Sequence, residues 1–378
     1  RMFEEGERLR AVRGAENVFD LSLGNPILEP PARFKEELRR LALEPLAGMH
    51  RYMPNAGYPE TRQAVAAWYA RETDLPIAAS DVLMTCGAGG GLNVLFRCIL
   101  DPGDQVLVLA PYFAEYRFYI ENHGGEIVVV PTGPGFQPDP DRIAAAIGPR
   151  TKAILVNSPN NPTGAVYGRA SLEAVGRVLA EAQRRHGHEI YFVSDEPYRR
   201  IAYDGVEVPW PFSFHRETIV VTSHSKDLGL AGERIGMLVL GPEVTEKAAL
   251  MGGLVFANRT LGFVNAPALM QRLVAKLQGE TIDVGAYRAK RDRLHAALAG
   301  AGYDVALPQG AFYLFPRCPE GDDVRFALRL VEEGVLVVPG RGFGWPGSFR
   351  ISYAVEDRVI EGAIPALVRA IQSLPVER

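Results

Sequence analysis

Between about residue 60 and residue 265 the chain alternates short apolar runs with stretches of helical spacing, and no other feature restricts its fold as tightly. The runs include Val82 to Thr85, Gln105 to Leu109, Ala153-Ile154-Leu155-Val156, Ile190-Tyr191-Phe192-Val193 and Thr218 to Thr222. Apolar strands separated by helix-length connections belong to a mostly parallel sheet with helices packed on it, an α/β domain. The final third changes character. Ile282 to Ala301 reads as a long polar-rich helix, followed by the stretches Tyr303-Asp304-Val305 and Ala311-Phe312-Tyr313-Leu314-Phe315. Phe326 to Glu333 reads as another helix, and Val335 to Val338 and Phe349 to Tyr353 as strands. The expected organisation is an N-terminal segment, residues 1–40, packing with a small α+β domain at 276–378, and a large domain at 41–275.

Charge and cysteine content narrow the function classes. A chain of 378 residues can bury a large core, and a net charge of −4 without blocks of like charge implies neither nucleic acid nor an acidic membrane surface as partner. Cys86, Cys98 and Cys318 are too few and scattered for a disulfide framework, and no apolar stretch approaches the roughly 20 residues of a transmembrane helix. A cytoplasmic location is expected. The opening Arg1-Met2-Phe3-Glu4-Glu5-Gly6 reads as amphipathic helix and not as a signal sequence; lacking an initial methionine, it leaves room for missing native residues.

Polar residues gather where the apolar runs end, the edge at which open parallel sheets bind ligands. Thr218 to Thr222 leads into Ser223-His224-Ser225-Lys226, with Arg234 eight residues beyond the lysine. A lysine amine can form a Schiff base with a carbonyl cofactor, while Ser223 and Arg234 can grip a phosphate. Ala153 to Val156 ends in Asn157-Ser158-Pro159-Asn160-Asn161-Pro162-Thr163-Gly164, and Ile190 to Val193 in Asp195-Glu196-Pro197-Tyr198. Gly87-Ala88-Gly89-Gly90-Gly91 lies between the strand-like Val82 to Thr85 and the helix-like Leu92 to Leu100. It fits neither a dinucleotide loop, whose third glycine would fall on Leu92, nor a nucleotide P-loop, which needs a following Lys-Ser or Lys-Thr. His186 and His188 lack a cysteine or carboxylate cluster, so no metal site is expected. His224 reads as a strand-end residue contacting backbone or a neighbouring subunit.

This ordered set resembles the fold type I pyridoxal phosphate enzymes, and within them the class I/II aminotransferases related to aspartate aminotransferase. The resemblance covers nearly the whole chain and implies a large domain with a seven-stranded-type, mostly parallel sheet flanked by helices, plus a smaller α+β domain. It implies Lys226 as the Schiff-base lysine, Asp195 as the carboxylate on the pyridine nitrogen, and Asn161 and Tyr198 on the phenolic oxygen. Gly87, Ala88 and Gly89 match the phosphate loop, and Phe113 the aromatic residue stacked on the cofactor. Tyr52 matches a tyrosine that reaches the phosphate of the neighbouring subunit, which implies a homodimer with shared active sites. Arg350 matches the arginine that holds the substrate α-carboxylate, and Gly24 and Asn25 the segment lying against it.

The activity so implied is ping-pong transfer of an amino group from an L-amino acid to a 2-oxo acid. Arg259 lies one position from where one subgroup carries an arginine for a distal carboxylate, which would favour aspartate or glutamate; an ion pair is the competing reading, and Arg117 is a second candidate. A broad or aromatic substrate range stays open. The same residues also serve lyases and decarboxylases of this fold. A cofactor-sensing regulator would need an added basic DNA-binding domain, which nothing here resembles.

Overall fold

The computed structural model describes residues 2–44 and 46–373. Seven strands form the main sheet: β1 (Val82–Thr85), β2 (Gln105–Ala110), β3 (Glu126–Pro131), β4 (Thr151–Asn157), β5 (Tyr191–Asp195), β6 (Thr218–Ser223) and β7 (Gly236–Leu240). Their spatial order is β1-β7-β6-β5-β4-β2-β3, parallel except for β7, which runs antiparallel to both β1 and β6. The expected α/β architecture with a seven-stranded, mainly parallel sheet is therefore the observed one.

Apart from the edge strand β3, which is mostly exposed or half-buried, the strands are buried and largely apolar because both faces are covered. Successive residues of β2 and β4 point to opposite sides: Val106, Val108, Ala153 and Leu155 join the core under the helix Gly87–Ile99, while Leu107, Leu109, Ile154 and Val156 join the core under the helix Arg169–His186. At the other end of the sheet, Val82, Met84, Val220, Met237 and Val239 pack against Val65, Tyr69, Leu273 and Leu277. Two strand reversals, into and out of β7, leave β1 pointing the same way as β4, β5 and β6. The chain thus leaves all four at one edge of the sheet.

A separate cluster gathers Leu21 with Tyr287, Leu294, Phe312, Phe326, Phe349, Ile351 and Leu367. Phe19–Asp20 pairs in parallel with Val335–Leu336, and the helix Met2–Arg13 buries Leu9 against Val18, Val331 and Leu336. The stretch expected as one strand, Val335 to Val338, is interrupted at Val337. Val335–Leu336 binds the N-terminal segment, whereas Val338–Pro339 pairs antiparallel with Phe349–Ser352, whose other edge takes Tyr313–Leu314. Tyr303-Asp304-Val305 is not a strand; Tyr303 is held by burial and by donation from its hydroxyl to the Leu367 carbonyl (2.8 Å).

Candidate active site

The expected phosphate loop is the first turn of a helix. Gly87–Ile99 follows β1 after a single residue, so its N-terminus stands at the strand-end edge, and no side chain caps it. Free amides of a first turn attract an anion. Glycine is required at two points. Gly87 has φ +72°, and a Cβ there would lie 2.8 Å from Nη2 of Arg234; at Gly91 a Cβ would lie 2.8 Å from Cγ1 of Val221 on β6. The first glycine lets the guanidinium close on the turn, and the second lets the helix lie flat on the sheet.

Around this turn a cavity of about 360 Å³ opens. Its walls bring together Gly24, Ala88, Gly89, Phe113, Asn161, Asp195, Tyr198, Ser223, Lys226, Arg234 and Arg350. These come from segments up to 326 residues apart, Gly24 to Arg350. Gly87 lies beneath Arg234 without lining the cavity. Asn25, next to Gly24, is exposed and outside the lining.

Asp195 ends β5 beside Asn157, the last residue of β4. Asn157 donates to the Asp195 carbonyl (2.9 Å) and accepts from the Asn161 amide (2.8 Å), so it locks the two segments. One carboxylate oxygen of Asp195, Oδ2, accepts from the Tyr116 hydroxyl at 2.5 Å; the other, Oδ1, is buried without a partner. Burial pushes the Asp195 carboxyl up to about 7, against the opposing bond from Tyr116. A buried acceptor without a donor is costly. It fits a ligand bearing an N–H.

Lys226 sits in the single turn His224–Asp227 directly after β6 and donates from Nζ to the Gly24 carbonyl (2.8 Å). Burial, then the charges of Arg350 and Arg234, lower its amine to about 8. Arg350, on Phe349–Ser352, donates to Asn161 Oδ1 (3.0 Å) and the Ser22 carbonyl (2.6 Å), and its Nε is buried without a partner. Its guanidinium lies between Tyr313 and Phe343, 4.7 and 4.9 Å from their ring centres. Tyr198 shares a hydrogen bond with Tyr313 (2.8 Å between hydroxyls).

Three expected residues stand elsewhere. Tyr52 is 90% exposed, away from the cavity. Arg259 is exposed on the helix Lys247–Thr260, which buries Leu254, Ala257 and Asn258 and so turns the next residue outward. Arg117 is also exposed and pairs with Glu121 (3.0 Å). Buried His224, among the described residues, turns its ring to side chains instead of backbone: it pairs with Asp227 (3.1 Å) and meets Gln278 (3.3 Å).

A model of the aminotransferase class I and II family matches residues 16–367. The chain belongs to that family. Aspartate/prephenate aminotransferase of Thermus thermophilus is 37% identical over 367 residues, covering 95% of this chain and 92% of that protein. Probable aspartate/prephenate aminotransferase of Aquifex aeolicus is 34% identical, covering 98% and 94%. Among solved structures, an amino transferase of Eubacterium rectale matches with a TM-score of 0.95 at 37% identity, covering 98% of this chain and 94% of that one. The aspartate aminotransferase of Thermus thermophilus with maleate matches with a TM-score of 0.85 at 33% identity, covering 98% and 96%. The protein is thus an aminotransferase, a family whose members use pyridoxal phosphate and act on amino acids and 2-oxo acids.

The cavity also holds three residues that sequence reasoning passes over: Tyr116, Asn157 and Tyr313. Tyr116 falls three residues after Phe113, one helical turn, and Asn157 four before Asn161; those spacings are the signals that could have found them.

Proposed function

We propose that this cavity holds pyridoxal 5′-phosphate and that the aminotransferase moves the amino group of an L-amino acid to a 2-oxo acid in ping-pong fashion. When bound, the cofactor supplies a carbonyl that captures amines and a ring that accepts the electron pair left as Cα loses its proton. The observation that carries the reading is the partnerless Oδ1 of Asp195, in the same cavity as the Lys226 amine and an uncapped helix N-terminus. That oxygen holds the proton on the pyridine nitrogen. Ala88, Gly89, Ser223 and Arg234 would hold the phosphate, Phe113 would offer its ring to the cofactor's, and Asn161 and Tyr198 would donate to the phenolic oxygen.

Arg350 orients the substrate by its α-carboxylate; a planar guanidinium can take both oxygens, and the unpartnered Nε supplies a free donor. With an amine lowered to about 8, Lys226 has an appreciable neutral fraction near neutrality and moves the proton at Cα. Gly24 serves through its carbonyl, and Asn25 stays a neighbour of that segment. A distal-carboxylate role for Arg259 has no support from this chain's own cavity.

The active unit in this reading is a homodimer. Tyr52 is too exposed to serve its own cavity, and Phe256 on the helix Lys247–Thr260 is 66% exposed nearby, since Asn258 on that helix donates to Asn55 (3.3 Å). A second copy would cover both and receive Tyr52 at its phosphate. The division into residues 1–40, 41–275 and 276–378 belongs to the same reading, with the Phe19–Asp20 pairing in its favour. So does a cytoplasmic location; among the described residues no helix is long and apolar enough to cross a membrane.

The test is an absorbance scan of the protein with pyridoxal phosphate, before and after single amino acids without a keto acid. The cofactor band should fall with stoichiometric release of a 2-oxo acid and return only on adding a second one. Turnover without a keto acid acceptor would instead mark a lyase or decarboxylase.

A further inference from the structure

Arg234, Lys226 and Asp195 face the cofactor and Arg350 the α-carboxylate. One charged side chain of the cavity wall, Glu115, is then left without a role. It stands between Phe113 and Tyr116, at the start of the helix Tyr116–Glu121, yet its side chain does not cap that helix. Glu115 is exposed at the cavity mouth, and among the described residues its carboxylate has no hydrogen-bond or ion-pair partner, so it is open to solvent and to a bound ligand. Its charge reaches across the cavity. Tyr119 is raised by burial and then by Glu115, and Tyr313, raised by burial against the charge of Arg350, also feels Glu115. Tyr119 and Tyr313 both line the same space.

A distal carboxylate on the substrate would need a further cation here, and this chain's wall offers none. Arg117 is turned outward to Glu121, and Arg259 does not reach the cavity of its own chain. A carboxylate facing Glu115 would meet like charge, whereas an ammonium or guanidinium would gain a charged hydrogen bond. Phe113, Tyr119 and Tyr313 offer ring surface along which a methylene chain can lie.

We propose that Glu115 selects an amino donor whose side chain ends in a cation, and disfavours aspartate and glutamate. The inference rests on the cofactor reading above. It separates this aminotransferase from relatives whose names carry aspartate.

The test uses the full chain loaded with pyridoxal phosphate. The rate of loss of the cofactor band is measured with alanine, ornithine, lysine, aspartate and glutamate singly, for the native protein, Glu115→Gln and Glu115→Lys. Native protein should react with ornithine or lysine at least about tenfold faster than with aspartate. In Glu115→Gln the ornithine-to-alanine ratio should fall roughly tenfold, equivalent to about 1.4 kcal/mol, and Glu115→Lys should shift preference toward aspartate. Faster reaction of the native protein with aspartate or glutamate would overturn the proposal, as would a ratio that moves less than about twofold in Glu115→Gln; a cation from a second subunit would then govern the choice. If alanine responds and the cationic donors gain nothing over it, the role of Glu115 alone falls. If no donor changes the band, the cofactor assignment falls and this inference with it.

Discussion

Replacing Asp195 with asparagine should move stability and function in opposite directions. In the cofactor-free protein the buried carboxyl is raised from 3.8 to about 7, so the folded state binds a proton more tightly than the unfolded chain. The sign follows from linkage: between those two values the folded state holds more protons, and stability falls as pH rises until the folded group has ionised. At about 1.36 kcal/mol per pH unit, the ionised carboxylate costs the apoprotein up to roughly 4 kcal/mol above pH 7, and about 2 kcal/mol of that arises between pH 5 and pH 7. A neutral asparagine side chain carries no such cost. Asp195→Asn apoprotein should therefore melt higher than native apoprotein at pH 8, with the gap shrinking markedly at pH 5. With cofactor the order reverses, because a charged hydrogen bond to the ring nitrogen, about 1.5–3 kcal/mol, is lost. Cofactor should dissociate roughly 10- to 150-fold more readily, and kcat at saturating cofactor should fall by about two to three orders of magnitude. Thermal melts of both forms at the two pH values, a cofactor titration and steady-state rates make the assay. A gap independent of pH, or a kcat within about threefold of native, would refute the assignment of Asp195 as the strained partner of the ring nitrogen.

The remaining predictions concern the other walls of the cavity. Lys226→Ala should abolish multiple turnover; and because the native amine is lowered to about 8, capture of pyridoxal phosphate by native apoprotein should slow about tenfold for each pH unit below that value, followed by stopped-flow absorbance. Arg350→Lys should lower kcat/KM for all amino acids by roughly 10- to 150-fold, mostly through KM, as one charged hydrogen bond is removed; an unchanged KM would place the α-carboxylate elsewhere. Gly91→Ala should cost about 1–3 kcal/mol in denaturant melts, since the added methyl meets Val221 at 2.8 Å and Thr85 Oγ1 at 3.3 Å.

What can be read from the sequence follows from where the chemistry sits relative to the apolar runs. Lys226, Asp195 and Asn161 stand at or just past the abrupt ends of β6, β5 and β4, so a local pattern announces both the strand and the polar residue it delivers. Five of the seven strands are legible as apolar runs for the same reason; the half-exposed edge strand β3 and the antiparallel β7 are not among those runs, and the count of seven comes from the family resemblance. Tyr313 escapes because nothing adjacent marks it, its contact being with Tyr198, 115 residues away; Tyr116 has its spacing from Phe113 as a signal, but its role comes from contact with Asp195, 79 residues away. The break at Val337 escapes because its two halves pair with different partners, and the N-terminal partner lies more than 300 residues upstream.

Glu115 and Arg259 make the sharper contrast. An arginine near an expected distal-carboxylate position invites an acidic substrate on charge alone, yet the buried face of its helix, Leu254, Ala257 and Asn258, turns Arg259 away from the cavity of its own chain. Glu115 is flanked by residues that attract attention for other reasons, and the short helix it precedes leaves its side chain unused as a cap at the wall of the cavity. Residue type therefore announces the general chemistry of this site, which calls for a lysine, a carboxylate and an arginine. Selectivity, in the proposal made above, depends instead on Glu115, the charged residue of the wall that cofactor and α-carboxylate leave unclaimed.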